Sequence, residues 1–104
     1  MSVLNLYKND VKVLSKEGIN DNNKYVFENI IYDRENIILI REDNNFKYEL
    51  NFKEENATIV LKMQDYVLNM ELKVLNKELN DNCHKITYNI ESEEVISNVL
   101  EIKF

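Results

Sequence analysis

Tyr66-Val67-Leu68-Asn69-Met70-Glu71-Leu72-Lys73-Val74 opens the stretch that decides the fold. Ile86-Thr87-Tyr88-Asn89-Ile90 and Leu100-Glu101-Ile102-Lys103-Phe104 complete it. In all three segments the even positions are apolar and the odd positions between them are mostly polar. Side chains on a strand point alternately to opposite faces, so a period of two means one face on a core and one in water. A helix would need apolar residues three and four apart, and that stripe is missing. Asn80-Asp81-Asn82 and Ser92-Glu93-Glu94 are polar clusters that suit turns. The stretch reads as an antiparallel meander with one face against a core. After Val74 the parity slips, since Leu75 and Leu79 are odd. That predicts a bulge or bend near Val74-Leu75-Asn76, with a strand leaving the sheet there as the alternative.

Working towards the N-terminus, Phe46, Tyr48, Leu50 and Phe52 alternate with Lys47, Glu49 and Asn51. Ala57, Ile59, Leu61 and Met63 alternate less cleanly because Val60 lies between them. Gln64-Asp65 is short enough only for a hairpin turn, and Glu54-Glu55-Asn56 and Asp43-Asn44-Asn45 are further turns. Ile37-Ile38-Leu39-Ile40 is a continuous apolar run, read as a strand covered on both faces. Asp33 to Asn36 turns the chain before it. Tyr25-Val26-Phe27 begins a strand, in keeping with aromatic and β-branched preferences. The parity changes by Ile30 and Tyr32, so Glu28-Asn29 is either a bulge or a tight turn. Residues 18–23 are expected to be a loop. For residues 3–18 a helix capped by Ser2 competes with two short strands turned at Lys8-Asn9-Asp10, and the hairpin is favoured because the rest is β.

The expected architecture is therefore all-β. A single domain over residues 1–104 forms an antiparallel up-and-down barrel of about eight strands, with a sandwich as the other solution for regularly spaced strands. The length suits one domain with a real core, and 44% apolar residues is too many for disorder. There is no Pro and one Gly, Gly18, so the turns depend on Asn and Asp, which tolerate left-handed conformations.

A formal net charge of −6 speaks against nucleic acid and against anionic membranes as partners. One cysteine, Cys83, cannot form an internal disulfide. Residues 1–9 do not resemble a signal peptide, and no apolar run is long enough for a membrane helix. The expected location is the cytoplasm.

Asn36-Ile37-Ile38-Leu39-Ile40-Arg41 resembles a strand ending in a basic residue in the YwiB-like family. Leu68 to Lys77 resembles that family's long strand, and Tyr88-Asn89-Ile90 through Asn98-Val99-Leu100-Glu101-Ile102 its closing hairpin. Lys16-Glu17-Gly18 and Lys24-Tyr25 match its early strands. These are short bacterial barrels related in fold to calycins and lipocalins, without an assigned function. The resemblance implies a calycin-like barrel and carries over no functional residue. The chain departs from the pattern by lacking a hairpin near Tyr32 to Glu35 and a Gly- and Pro-containing turn at Met63-Gln64-Asp65.

Chemistry-bearing motifs are few. Cys83-His84 supplies only two soft ligands where zinc wants about four. Neighbouring strand residues also point apart, so the pair reads as a strand start, with His84 in line with Ile86. Asp21-Asn22-Asn23 and Asp43-Asn44-Asn45 lack the Gly and the distal Glu of a calcium loop and read as turns. Glu91, Glu93 and Glu94 read as a solvated rim, and Asn56-Ala57-Thr58 as a chance glycosylation triplet. No catalytic residue, metal site or cofactor is expected, and the chain reads as a non-enzyme.

What remains is the aromatic set. A barrel of about eight strands is either filled by side chains or just holds one small ligand. Phe46, Tyr48, Phe52, Tyr66, Met70 and Tyr88 are the residues expected to line such an interior if a small apolar molecule is the partner. The other reading is an interaction or structural module, monomeric or homodimeric, acting through a strand edge.

Overall fold

A computed structural model of the chain describes residues 1–54, 56–91, 94 and 97–104. Every described element is a strand: β1 (Ser2–Lys8), β2 (Val11–Asp21), β3 (Lys24–Phe27), β4 (Ile30–Asp33), β5 (Ile38–Glu42), β6 (Phe46–Asn51), β7 (Asn56–Met63), β8 (Val67–Leu79), β9 (Cys83–Ile90) and β10 (Asn98–Lys103). Each pairs antiparallel with its chain neighbours, and β10 pairs with β1, so the meander closes into a barrel. The strand count is ten rather than about eight. Closure removes the two free edges of an open sheet, although among the described residues β2 over residues 11–18 and β8 over residues 74–79 pair on one side alone.

The turns show how a chain with one glycine makes so many reversals. Asn9 and Asp10 have φ of 49° and 67°, as do Asn22 and Asn23. Two successive left-handed residues make the type I′ hairpin turn, whose twist matches that of the strands it joins. The first of these turns settles residues 3–18 as the β1–β2 hairpin. The second corrects the expected loop over residues 18–23. Here β2 runs through Gly18 to Asp21, with Asp21 opposite Lys24, and only Asn22-Asn23 forms the turn.

Gly18 is where a close approach demands glycine. A Cβ there would collide with the Val26 carbonyl oxygen and the Phe27 ring, whose Cε1 would lie only 2.7 Å away. The Phe27 ring packs on the bare backbone of β2 as the sheet bends round.

At Glu28-Asn29 the structure has a tight turn, with Phe27 opposite Ile30 across two residues. Glu28 occupies φ 56°, a place where glycine is usual in type II′ hairpins. This turn keeps the four-residue strands β3 and β4 separate, which raises the strand count. Ile37 also differs from expectation. It stands outside β5 with φ 56°, while its carbonyl accepts from the Phe52 amide at 2.9 Å. A β-branched residue is rare in that conformation, and the apolar run concealed the reversal. The β4–β5 connection is braced by Asp33, whose carboxylate accepts from the Glu35 and Asn36 amides and from Asn36 Nδ2.

The expected bulge in β8 is present. Val74 lies opposite Tyr88 and Asn76 opposite Thr87, leaving Leu75 unpaired and 49% exposed. A second irregularity lies in β2, where Leu6 faces Leu14 but Tyr7 faces Lys12, leaving Val13 as the extra residue.

Leu72, Val74, Ile86, Tyr88, Leu100 and Ile102 are buried, as the even-position pattern requires, together with Leu4, Phe27, Ile30, Tyr32, Phe52 and Ile59. Tyr66 and Leu68 share that parity yet are exposed. β9 begins to pair with β8 only at Leu72, so the β7–β8 hairpin projects past the barrel wall. Its Gln64-Asp65 turn is closed by the Met63 amide on the Tyr66 carbonyl at 2.9 Å. The expected turns involving Glu55 and Ser92-Glu93 include positions outside the described residues. Along β8, β9 and β10 the outer face carries exposed Lys73, Lys85 and Lys103, whereas across β2 to β5 it carries the apolar row Ile19, Val26, Ile31 and Ile40. No described helix is long and apolar enough to cross a membrane.

Candidate functional site

The two ends of the barrel are built differently. One end is plugged by rings. The Tyr25 and Phe104 centroids lie 4.6 Å apart, and His84 meets Phe104 edge-on at 4.9 Å. The Arg34 guanidinium covers the outer face of Phe104 at 4.0 Å from its centroid. It also donates to the Tyr25 hydroxyl and, at 2.6 Å, to the Asp81 carbonyl. Such a cation over an aromatic face is held by the ring quadrupole. Beneath this lid the Tyr32 hydroxyl is 2.8 Å from His84 Nδ1, so two buried polar groups satisfy one another.

The opposite end is a cup. Its cavity has a volume of about 430 Å³ and opens at the end of the barrel carrying the β1–β2, β5–β6 and β7–β8 turns. Leu6, Leu14, Leu39, Leu50, Ile59 and Met70 form its apolar wall. Every one is placed by strand alternation, and Leu14, Leu39, Leu50, Ile59 and Met70 belong to the core or pack against it. Tyr48 and Tyr88 enter from β6 and β9. Tyr88 rests on Phe52, with ring centroids 5.0 Å apart, and Phe52 is fully buried. Phe52 therefore supports the cup from below.

The six residues expected to line an interior separate accordingly. Tyr48, Met70 and Tyr88 line the cavity. Phe46 sits beside Tyr48, edge-on at 4.9 Å, and Tyr66 is exposed at the β7–β8 turn. β9 ends opposite Leu72, short of Tyr66, which no parity rule shows. Parity alone does not single out Leu39, Ile59 and Leu61 as lining residues, because β5 and β7 carry apolar residues on both faces. Arg41, Lys8 and Asn98 also line the cup. Their signal was available: Arg41 is two residues from inward-facing Leu39, and Lys8 is two from Leu6.

Arg41 lies between Ile30 of β4 and Tyr48 of β6. Its Nε is buried and has no hydrogen-bond partner. Asn98 is almost fully buried and donates to the Tyr88 carbonyl at 3.4 Å.

Among the remaining ionisable groups, Tyr32, Cys83 and His84 are shifted mainly by burial. Burial, and then the nearby Glu101 charge, push the Cys83 thiol up, away from the thiolate form that a nucleophile needs. The His84 imidazole is pushed down, first by burial and then by the Arg34 charge. The Tyr32 phenol is pushed well above its usual range, chiefly by burial. Glu91 is raised by its neighbour Glu71, through a hydrogen bond and through charge; Glu91 and Glu94 are exposed, and Glu93 is outside the described residues. Among the described residues no group of three or more His, Cys, Asp or Glu side chains is arranged to hold a metal ion. Asn22-Asn23, following Asp21 at the end of β2, and Asp43-Asn44-Asn45 serve as turns. The Asn56-Ala57-Thr58 side chains are outside the described set.

No family model matches the chain, and neither the curated proteins nor the solved structures include a significant match.

Proposed function

We propose that this chain is a non-enzymatic binding module that takes a small apolar molecule into the open end of its barrel. The observation that carries the reading is the cavity of about 430 Å³ between apolar strand faces, within the size range of small-molecule sites. Tyr48, Met70 and Tyr88 are the aromatic and thioether contacts. The tyrosine hydroxyls give a ligand its orientation. The chain is a calycin-like barrel of the YwiB-like kind in this reading, working in the bacterial cytosol, where a lone unpaired Cys83 stays reduced.

Native mass spectrometry of protein purified gently from its own host tests this. A discrete extra mass on the protein is the expected result. A bare monomer that also fails to take up added apolar ligands contradicts it.

One observation favours a second reading, an interaction module. Over Val11–Gly18, β2 is paired with β1 alone among the described residues, and Val11 and Val13 on it are 63% and 51% exposed. Residues 74–79 of β8 are likewise paired on one side alone, with β9, among the described residues, so these two segments are where an edge-to-edge partner would add. Sedimentation that stays monomeric at all concentrations would remove self-pairing.

A further inference from the structure

We infer that the molecule this cup accepts is an amphiphile ending in a carboxylate, whose head group bonds to Arg41. The inference rests on the binding reading above and specifies its ligand class. Three observations support it. Strand alternation puts Arg41 on the inner face, in register with Leu39, where a purely apolar ligand would want another aliphatic residue. The Arg41 Nε is buried without an acceptor, and a buried charged donor left unpaired is costly. Finally, the chain carries 19 acidic and 13 basic residues, yet among the described residues the charged side chains lining the cavity are two cations, Arg41 and Lys8. Glu42 and Lys47, the next pair along the β5–β6 ladder, belong to the opposite face.

A carboxylate accepts two parallel hydrogen bonds from a guanidinium, and the low-dielectric wall strengthens them. It would give Nε the acceptor that the protein withholds. Tyr48, directly across the ladder from Arg41, offers a hydroxyl to the same head. The aliphatic tail would then run down past Leu39, Leu50 and Ile59 towards Tyr88.

Calorimetric titration of the full chain with decanoate and with decanol tests the head group at constant tail. The wild type is expected to bind both, with decanoate about tenfold tighter or more, the advantage of a charge-assisted hydrogen bond. Arg41→Met should hold decanol as the wild type does and lose the preference for decanoate. Arg41→Lys should keep part of the preference, because it retains charge without the fork. Urea midpoints of both variants establish that they are folded. Equal wild-type affinities for the two ligands, or an Arg41→Met protein that still prefers decanoate, would overturn the carboxylate inference and leave the cavity reading intact. Binding of neither ligand would remove both.

Discussion

The Tyr32 hydroxyl and His84 Nδ1 lie 2.8 Å apart across the closed end of the barrel, buried under Phe104. They join β4 to β9, strands that are not neighbours in the sheet. The contact is the polar fastening of the plug, which separates an open surface depression of about 580 Å³, bordered by Arg34, Ile37 and His84, from the cup at the opposite end.

Burial and the Arg34 charge hold the His84 pKa below its ordinary value in the folded chain. Between the depressed folded pKa and the unfolded value near 6.5, the unfolded chain binds more protons. Stability contributed by neutral His84 is therefore complete above about pH 6.5. It declines as pH falls through that window towards the folded pKa. Urea midpoints measured from pH 7.5 downward should show this loss, and His84→Gln should flatten that part of the profile. An unchanged slope in the variant would mean that other groups cause it.

Leu72 and Glu71 are adjacent on β8 and face opposite ways. Leu72 is 2% exposed and Glu71 is on the surface. Leu72→Asp places an unpaired charge in the core and should cost about 4 kcal/mol or more. Glu71→Ala should change stability by only about 0.5 kcal/mol. Equal shifts in urea midpoint would refute the face assignment.

Gly18→Ala should destabilise by roughly 1–3 kcal/mol, because its new methyl group must displace the Phe27 ring or the Val26 carbonyl. Near-UV circular dichroism of the variant should show the aromatic environment altered. A native spectrum with an unchanged midpoint would mean that the approach of β3 to β2 is looser than described.

Glu28→Gly should act in the other direction. Glu28 has φ 56°, and its ion pair with Lys16 is 2.9 Å long but exposed on the Glu side, so losing it costs little. Lys16 keeps its hydrogen bond to Asn29 Oδ1 at 3.2 Å. Relief of the left-handed strain should raise stability by about 0.5–1 kcal/mol, a Tm increase of a few degrees. A fall in Tm would show that the side chain does more than close the turn.

Much of this architecture was legible because strand parity is a local property. Leu72, Val74, Ile86, Tyr88, Leu100 and Ile102 announced their face from their spacing alone, and the slip at Leu75 announced the bulge. The illegible parts depended on neighbours. Tyr66 and Leu68 keep the inner parity but lose their cover because β9 ends at Ile90, opposite Leu72, before reaching them. Ile37 sits in a left-handed conformation that its type does not predict. Gly18 looked like a loop signal, whereas its missing side chain makes room for Phe27. At the cup, Tyr48, Met70 and Tyr88 were readable as inward apolar residues, but Arg41 was not weighed there, because a charge at a strand end usually faces water.

The central claim is that the open end of the barrel admits an apolar ligand, and methyl-resolved NMR tests it most directly. Decanol added to the full chain should shift the methyl signals of Leu39, Leu50, Ile59 and Met70, which line the cup. Ile102, fully buried opposite His84 near the plugged end, should stay in place. Shifts confined to exposed methyls such as Val11, Val67 or Leu75, or no shifts at saturation, would contradict the account.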